Sequence, residues 1–145
     1  MDLVLPSQLT GALTQREAIA DALYRAVLAF DHADEALLLS AVTEDLSAEI
    51  RDSSAKGIQE FKAMVFDRVS KLDTTHFLSK MRVTVESATE AKATCSAMAQ
   101  HIRPSKGFGQ VMNKFTSGGG DCTFANRSKL TICGTSRVGR RTSFG

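Results

Sequence analysis

The sequence offers little from which to build a cross-linked, metal-bound or membrane-spanning protein. Its three cysteines, Cys95, Cys122 and Cys133, are an odd number without Cys-x-x-Cys spacing. Neither a disulfide framework nor a zinc site is expected from them; free thiols in a reducing compartment are. No apolar stretch approaches the ~18 residues that a helical span requires. The opening segment Met1–Gly11 has no basic start and only a very short apolar run, so it does not read as a signal peptide and a cytoplasmic location is expected. Gly118-Gly119-Gly120 lacks the following Lys-Ser/Thr of a phosphate-binding loop. A net charge of +2 leaves no overall footprint for nucleic acid. Acidic residues are missing altogether after Asp121, where Arg127, Lys129, Arg137, Arg140 and Arg141 fall, so the body before that point is net acidic.

What remains is an ordinary globular composition. With 43% hydrophobic and 23% charged residues in a chain of 145, one domain with a sizeable core is expected. Thr14-Gln15-Arg16-Glu17 is a capping-box pattern. Ile19, Ala22, Leu23, Ala26, Val27 and Phe30 follow at helical spacing, so a helix should run from there to Ala29 or Phe30. Asp31-His32-Ala33-Asp34 breaks it, and Asp34 is placed to cap a short second helix over 36–41. Leu46, Ala48 and Ile50 alternate as in a strand, and Gly57 opens a third helix with Ile58, Phe61, Met64 or Val65, and Val69 inward, ending near Leu72.

Two long strands come next. The first covers Thr75 to about Ser87, with Met81, Val83 and Val85 on one face; the second carries Ala91, Ala93, Cys95, Ala97, Ala99 and His101 on one face. The short connection Ser87-Ala88-Thr89-Glu90 makes them an antiparallel hairpin, although it lacks Gly or Asn. His76 is out of phase with Met81, Val83 and Val85, so facing the same way as they do requires a bulge between them. Further on, Val111–Phe115 invites a strand. Ser117–Gly145 contains six glycines, and only the run from Leu130 to Cys133 has strand character there.

The order helix, short helix, strand, helix, long hairpin resembles the SnoaL-like polyketide cyclase/dehydratase domains of the NTF2-like superfamily, scytalone dehydratase among them. Three segments carry the resemblance: Phe30-Asp31-His32-Ala33-Asp34 at the end of the first helix, Thr74-Thr75-His76-Phe77 at the start of the long strand, and Gln100-His101-Ile102-Arg103-Pro104 at the end of the next. The resemblance implies an α+β fold, a cone in which a curved antiparallel sheet wraps a long N-terminal helix. It spans residues 1–120 and leaves 121–145 as a divergent, basic, Gly-rich tail with the closing strands incomplete. Two departures stand out. Scytalone dehydratase holds its water with two tyrosines, whereas the only tyrosine here is Tyr24, with Phe30 and a residue near Ile50 at the corresponding places. The tryptophan of the family's last strands is also absent.

By this resemblance Asp31, His76 and His101 are the candidate catalytic residues, with Phe30, Asp34, Phe61, Met81 and Arg103 lining the substrate. Imidazole exchanges protons near neutral pH, and a carboxylate beside it fixes its tautomer. Two histidines and an aspartate together can remove a proton next to a carbonyl and return one elsewhere, with no metal or organic cofactor. Asp31 is expected within hydrogen-bond reach of His101, with His76 across the same pocket. The implied activity is cofactor-independent acid/base chemistry (cyclisation, isomerisation or dehydration) on a hydrophobic polyketide or terpenoid-type intermediate of secondary metabolism, by a homodimer. A non-catalytic binding module and a truncated, inactive relative are the other readings. The tail, whose larger apolar residues are few and scattered, is expected to attach loosely.

Overall fold

A computed structural model describes residues 5–50, 53–102, 114–125, 130–131 and 139–140. Helix α1 (Gln15–Asp31) starts where the sequence says it must: Thr14 Oγ1 accepts the Glu17 N–H at 3.3 Å and Glu17 Oε2 accepts the Thr14 N–H at 2.7 Å. Its other end is closed by a Schellman pair of bonds, Asp34 N–H to the Ala29 carbonyl and Ala33 N–H to the Phe30 carbonyl. That closure holds Ala33 at φ +52°, a left-handed position that glycine fills without cost. Ala33→Gly is therefore expected to raise stability by about 1 kcal/mol, read from the urea midpoint; an unchanged or lower midpoint would contradict the assigned geometry. The turn delivers Asp34 to the start of α2 (Glu35–Ala41), where its Oδ1 accepts the Leu37 N–H at 2.9 Å.

Strands β1 (Ser47–Ile50) and β2 (Ser53–Lys56) form a small antiparallel hairpin; β2 was not foreseen, because only Ala55 of its four residues turns inward. The third helical stretch runs as α3 (Ile58–Phe61), a π-helical turn (Lys62–Phe66) and α4 (Asp67–Val69). The wider turn brings residues five apart onto one face, so Phe61 and Phe66 are both buried while Met64 and Val65 are only partly so. A regular 3.6-residue period hides this, and Phe66 therefore replaces the expected Val69 in the core.

The main sheet is five-stranded and antiparallel: β3 (Asp73–Val85), β4 (Glu90–Ile102), β5 (Lys114–Ala125) and β6 (Leu130–Thr131) lie in that order, and β7 (Gly139–Arg140) also pairs with β5. The turn between β3 and β4 manages without glycine because Ser87 Oγ accepts the N–H groups of Thr89 and Glu90. The register slips between Ser79 and Arg82, where Lys80 and Met81 stand opposite the single residue Cys95 and Lys80 takes φ +54°. This is the bulge that the phase mismatch demands: Thr74, His76 and Leu78 before it, and Met81, Val83 and Val85 after it, all turn inward.

β5 runs through Gly118–Gly120 to Ala125 and pairs with β4 along its whole length. The boundary placed at residue 120 thus falls inside a strand. Glycines carry no hydrophobic alternation to read, yet their N–H and C=O groups pair as any others do. The remainder of the tail lies outside the described residues, apart from β6 and β7.

The core lies between α1, α2, the α3–α4 stretch and the inward face of β3 and β4. Ile19, Leu38 and Leu46 are its largest fully enclosed side chains, and β4 contributes only small ones, Ala91, Ala93 and Ala99. Arg25 also lies inside, 6% exposed, with its guanidinium on Asp21 and on the Ser40 carbonyl and hydroxyl, so that it ties α1 to α2.

Candidate active site

α1 lies against β3, and its last residue, Asp31, meets that strand at His76. Two bonds fix the pair: Asp31 Oδ2 accepts the backbone N–H of His76 at 3.0 Å, and Oδ1 takes the ring Nδ1 at 2.6 Å. β3 is the edge strand of the described sheet, so the first of these satisfies a donor that points away from β4. Both side chains are largely shielded, 13% exposed for Asp31 and 16% for His76. An ionised carboxylate only accepts, so Nδ1 of His76 carries a hydrogen, and in the neutral ring Nε2 keeps the lone pair.

The second imidazole arrives from β4. His101 is the cross-strand partner of Thr74, two residues before His76 on the same inward face. Its Nδ1 lies 2.7 Å from Thr74 Oγ1, and its ring centroid lies 5.5 Å from that of His76 at a steep interplanar angle of 68°. An aromatic wall stands beside them. Phe30 is 5.6 Å from the His76 ring, and its edge contacts reach Phe66 at 5.2 Å and Phe61 at 6.2 Å.

The structure thus brings together Asp31, His76, His101, Phe30 and Phe61. It corrects the expected pairing: Asp31 binds His76, while Nδ1 of His101 meets Thr74. Strand parity tells which face a histidine occupies, but not which of two neighbours a carboxylate reaches; the packing of α1 on β3 decides that. Asp34 serves as the cap of α2, and Met81 packs on the core beyond the bulge. Arg103 lies outside the described residues. Tyr24 is half-exposed on α1, so no phenol from that residue joins the shielded pair. Two residues were missed. Thr74 shares the inward phase of His76 and was open to that argument; Phe66 was hidden by the π turn. Near the middle of β4, burial pushes the Cys95 thiol above its ordinary range, which suits a packed residue rather than a nucleophile.

Among the described residues no cluster of metal-ligating side chains is found, and no helix is long and apolar enough to cross a membrane. What the arrangement offers chemically is an imidazole held by a carboxylate at Nδ1, with a second imidazole next to it, beside apolar rings.

Comparison with known proteins adds a family-level context. The family model described as SnoaL-like domain matches residues 11–125. A protein of Penicillium crustosum named terrestric acid biosynthesis cluster protein E is 42% identical over 115 residues, which make up 79% of this chain and 74% of that one. Two solved structures share the fold, which is the NTF2-like one. A protein from Novosphingobium aromaticivorans provisionally named a scytalone dehydratase superposes with a TM-score of 0.66 at 17% identity, covering 88% of this chain and 91% of that one. A hexachlorocyclohexane dehydrochlorinase does so with a TM-score of 0.66 at 16% identity, covering 90% and 92%.

Proposed function

Because this chain belongs to the SnoaL-like domain family and is homologous to a fungal secondary-metabolite cluster protein, we propose that it is a cofactor-independent acid/base enzyme, a cyclase, isomerase or dehydratase acting on a hydrophobic polyketide or terpenoid-type intermediate. The observation that carries this reading is the Asp31–His76 pair at 2.6 Å, shielded and beside the ring of Phe30. In this reading Nε2 of His76 takes a proton from a carbon next to a carbonyl. The C–H electron pair moves into the enolate, and Asp31 stabilises the imidazolium that forms. The same imidazolium then gives its proton back: to another carbon in an isomerisation, or to a departing hydroxyl in a dehydration, so that the site returns to its starting state. The phenylalanines hold the apolar body of the substrate and keep water from the pair.

The chemistry predicts its own assay. The protein should catalyse deuterium uptake from D2O into some members of a panel of β-hydroxycarbonyl and β-dicarbonyl polyketide mimics, followed by mass spectrometry. No exchange above the buffer rate anywhere in the panel would count against the enzyme reading and favour a binding module.

The homodimer belongs to the same proposal. On the outer face of the sheet, Phe77 and Met98 are direct cross-strand partners, 50% and 42% exposed, and their neighbours Thr75, Ser79, Ser96 and Gln100 are uncharged. An apolar centre with a neutral polar rim is the anatomy of an interface core. Phe77→Glu should turn a dimer into a monomer in sedimentation analysis without loss of thermal stability in the isolated fold; a wild-type protein that sediments as a monomer would exclude this face as a dimer contact.

A further inference from the structure

We propose that Thr74 is a positioning residue that sets His101 to the tautomer opposite to that of His76, so that one imidazole presents a lone pair and the other an N–H. This rests on the acid/base reading above and deepens it.

Thr74 is 4% exposed, and the one hydrogen bond of its hydroxyl among the described residues is the 2.7 Å contact with His101 Nδ1. A buried hydroxyl that fails to donate its hydrogen leaves a polar group unsatisfied at a cost of about 1–3 kcal/mol. If Nδ1 of His101 carried the hydrogen, Thr74 would have to accept and its own hydrogen would have no acceptor in that contact. The arrangement that satisfies both atoms has Thr74 donating to a lone pair on Nδ1. In the neutral ring the hydrogen then sits on Nε2. At His76 the partner is a carboxylate, which can only accept, and the hydrogen sits on Nδ1. The two neutral rings therefore carry complementary Nε2 atoms, a lone pair on His76 and an N–H on His101.

The backbone makes this arrangement repeatable. Thr74 and His76 alternate on one strand, and Thr74 and His101 are register partners across the ladder. One segment of β3 thus supplies the base and also orients the imidazole opposite it. In the proposed reaction, Nε2–H of His101 donates a hydrogen bond to the substrate oxygen as negative charge develops there, while Nε2 of His76 removes the carbon-bound proton. His101 keeps its proton throughout; the proton that moves is carried by His76 alone. With the rings 5.5 Å apart, two imidazolium ions would repel each other, and a neutral donor at His101 avoids that conflict.

The test needs no substrate. Long-range ¹H–¹⁵N spectra of ¹⁵N-labelled protein distinguish protonated from bare ring nitrogens, and a His101→Gln variant assigns the signals. At a pH where His101 is neutral, its Nδ1 should appear as a bare nitrogen and its Nε2 as a protonated one. Thr74→Val, which keeps the shape and removes the hydroxyl, should shift His101 toward a tautomer mixture, and Thr74→Ser should restore the wild-type pattern. A protonated Nδ1 in the wild type, or a spectrum unmoved by Thr74→Val, would overturn the proposal. In the exchange assay, Thr74→Val should lower kcat about 10- to 100-fold, as for other partners that orient a working imidazole, with rescue by Ser. Loss of all exchange activity in the wild type with the predicted tautomer intact would strike the enzyme reading and leave the tautomer assignment standing.

Discussion

Replacing His76 by alanine is expected to slow substrate C–H exchange by about three orders of magnitude, inside the ~10²–10⁴ range for a positioned general base. No other residue brought together at the site combines a lone-pair nitrogen with a carboxylate behind it. Asp31→Asn should cost as much or more, about 10³–10⁴, for two reasons. The amide removes the charge that stabilises the imidazolium, and its NH₂ group can hold the ring in the wrong tautomer. The fold should survive, because the amide oxygen can still accept the His76 N–H. His101→Ala should lose about 10²–10³, the effect of deleting one donor from an oxyanion site. Each variant is compared with wild type by deuterium uptake at saturating probe, with circular dichroism confirming the fold. A His76→Ala protein that keeps more than a tenth of the wild-type rate would remove His76 as the base.

Arg25→Ala should be the most destabilising single change among the polar residues, by about 3 kcal/mol. It leaves the Asp21 carboxylate, 15% exposed, without its cation and takes a guanidinium away from the Ser40 carbonyl and hydroxyl. Breaking a buried pair on one side costs about 3–5 kcal/mol; the residual exposure of Asp21 argues for the lower end. The double change Arg25→Met with Asp21→Leu should recover most of the loss, since it removes both charges and keeps the volume. Urea unfolding of the three proteins decides this. A double variant no better than Arg25→Ala would show that the guanidinium matters for packing between α1 and α2 and not for its charge.

Much of this architecture was legible in the residues. The capping box, the break after Phe30, the cap at Asp34 and the hairpin all follow from local chemistry and period, and the out-of-phase His76 announced its own bulge. Three things were not legible, each for a physical reason. The π turn changes the helical period for a single turn, so Phe66 reads as a surface position. The glycines of β5 have no side chains to alternate, so a strand held by its backbone looks like a loop. The pairing of Asp31 with His76 depends on which strand α1 packs against, a tertiary fact that no window of sequence contains. The carboxylate and both histidines singled out in the sequence lie together in the structure; the hydroxyl of Thr74, which shares the histidines' face, was passed over because threonine on a strand is usually there for its shape.

The inward face of β4 has a consequence for how such a protein changes over evolutionary time. Ala91 and Ala93 are sealed in the core, but Cys95 and Ala97 on the same face are only partly covered, and Ala99 is enclosed again. Enlarging Ala91 or Ala93 would force side chains into a filled interior and destabilise the fold by roughly 1–3 kcal/mol. Cys95 and Ala97 are less enclosed, so a larger side chain there meets fewer fixed neighbours. The strand thus separates positions where added bulk is penalised heavily from positions where it is penalised less. Single substitutions at 95 or 97 are therefore expected to disturb the fold less than those at 91 or 93, leaving Asp31, His76 and the scaffold that holds them untouched.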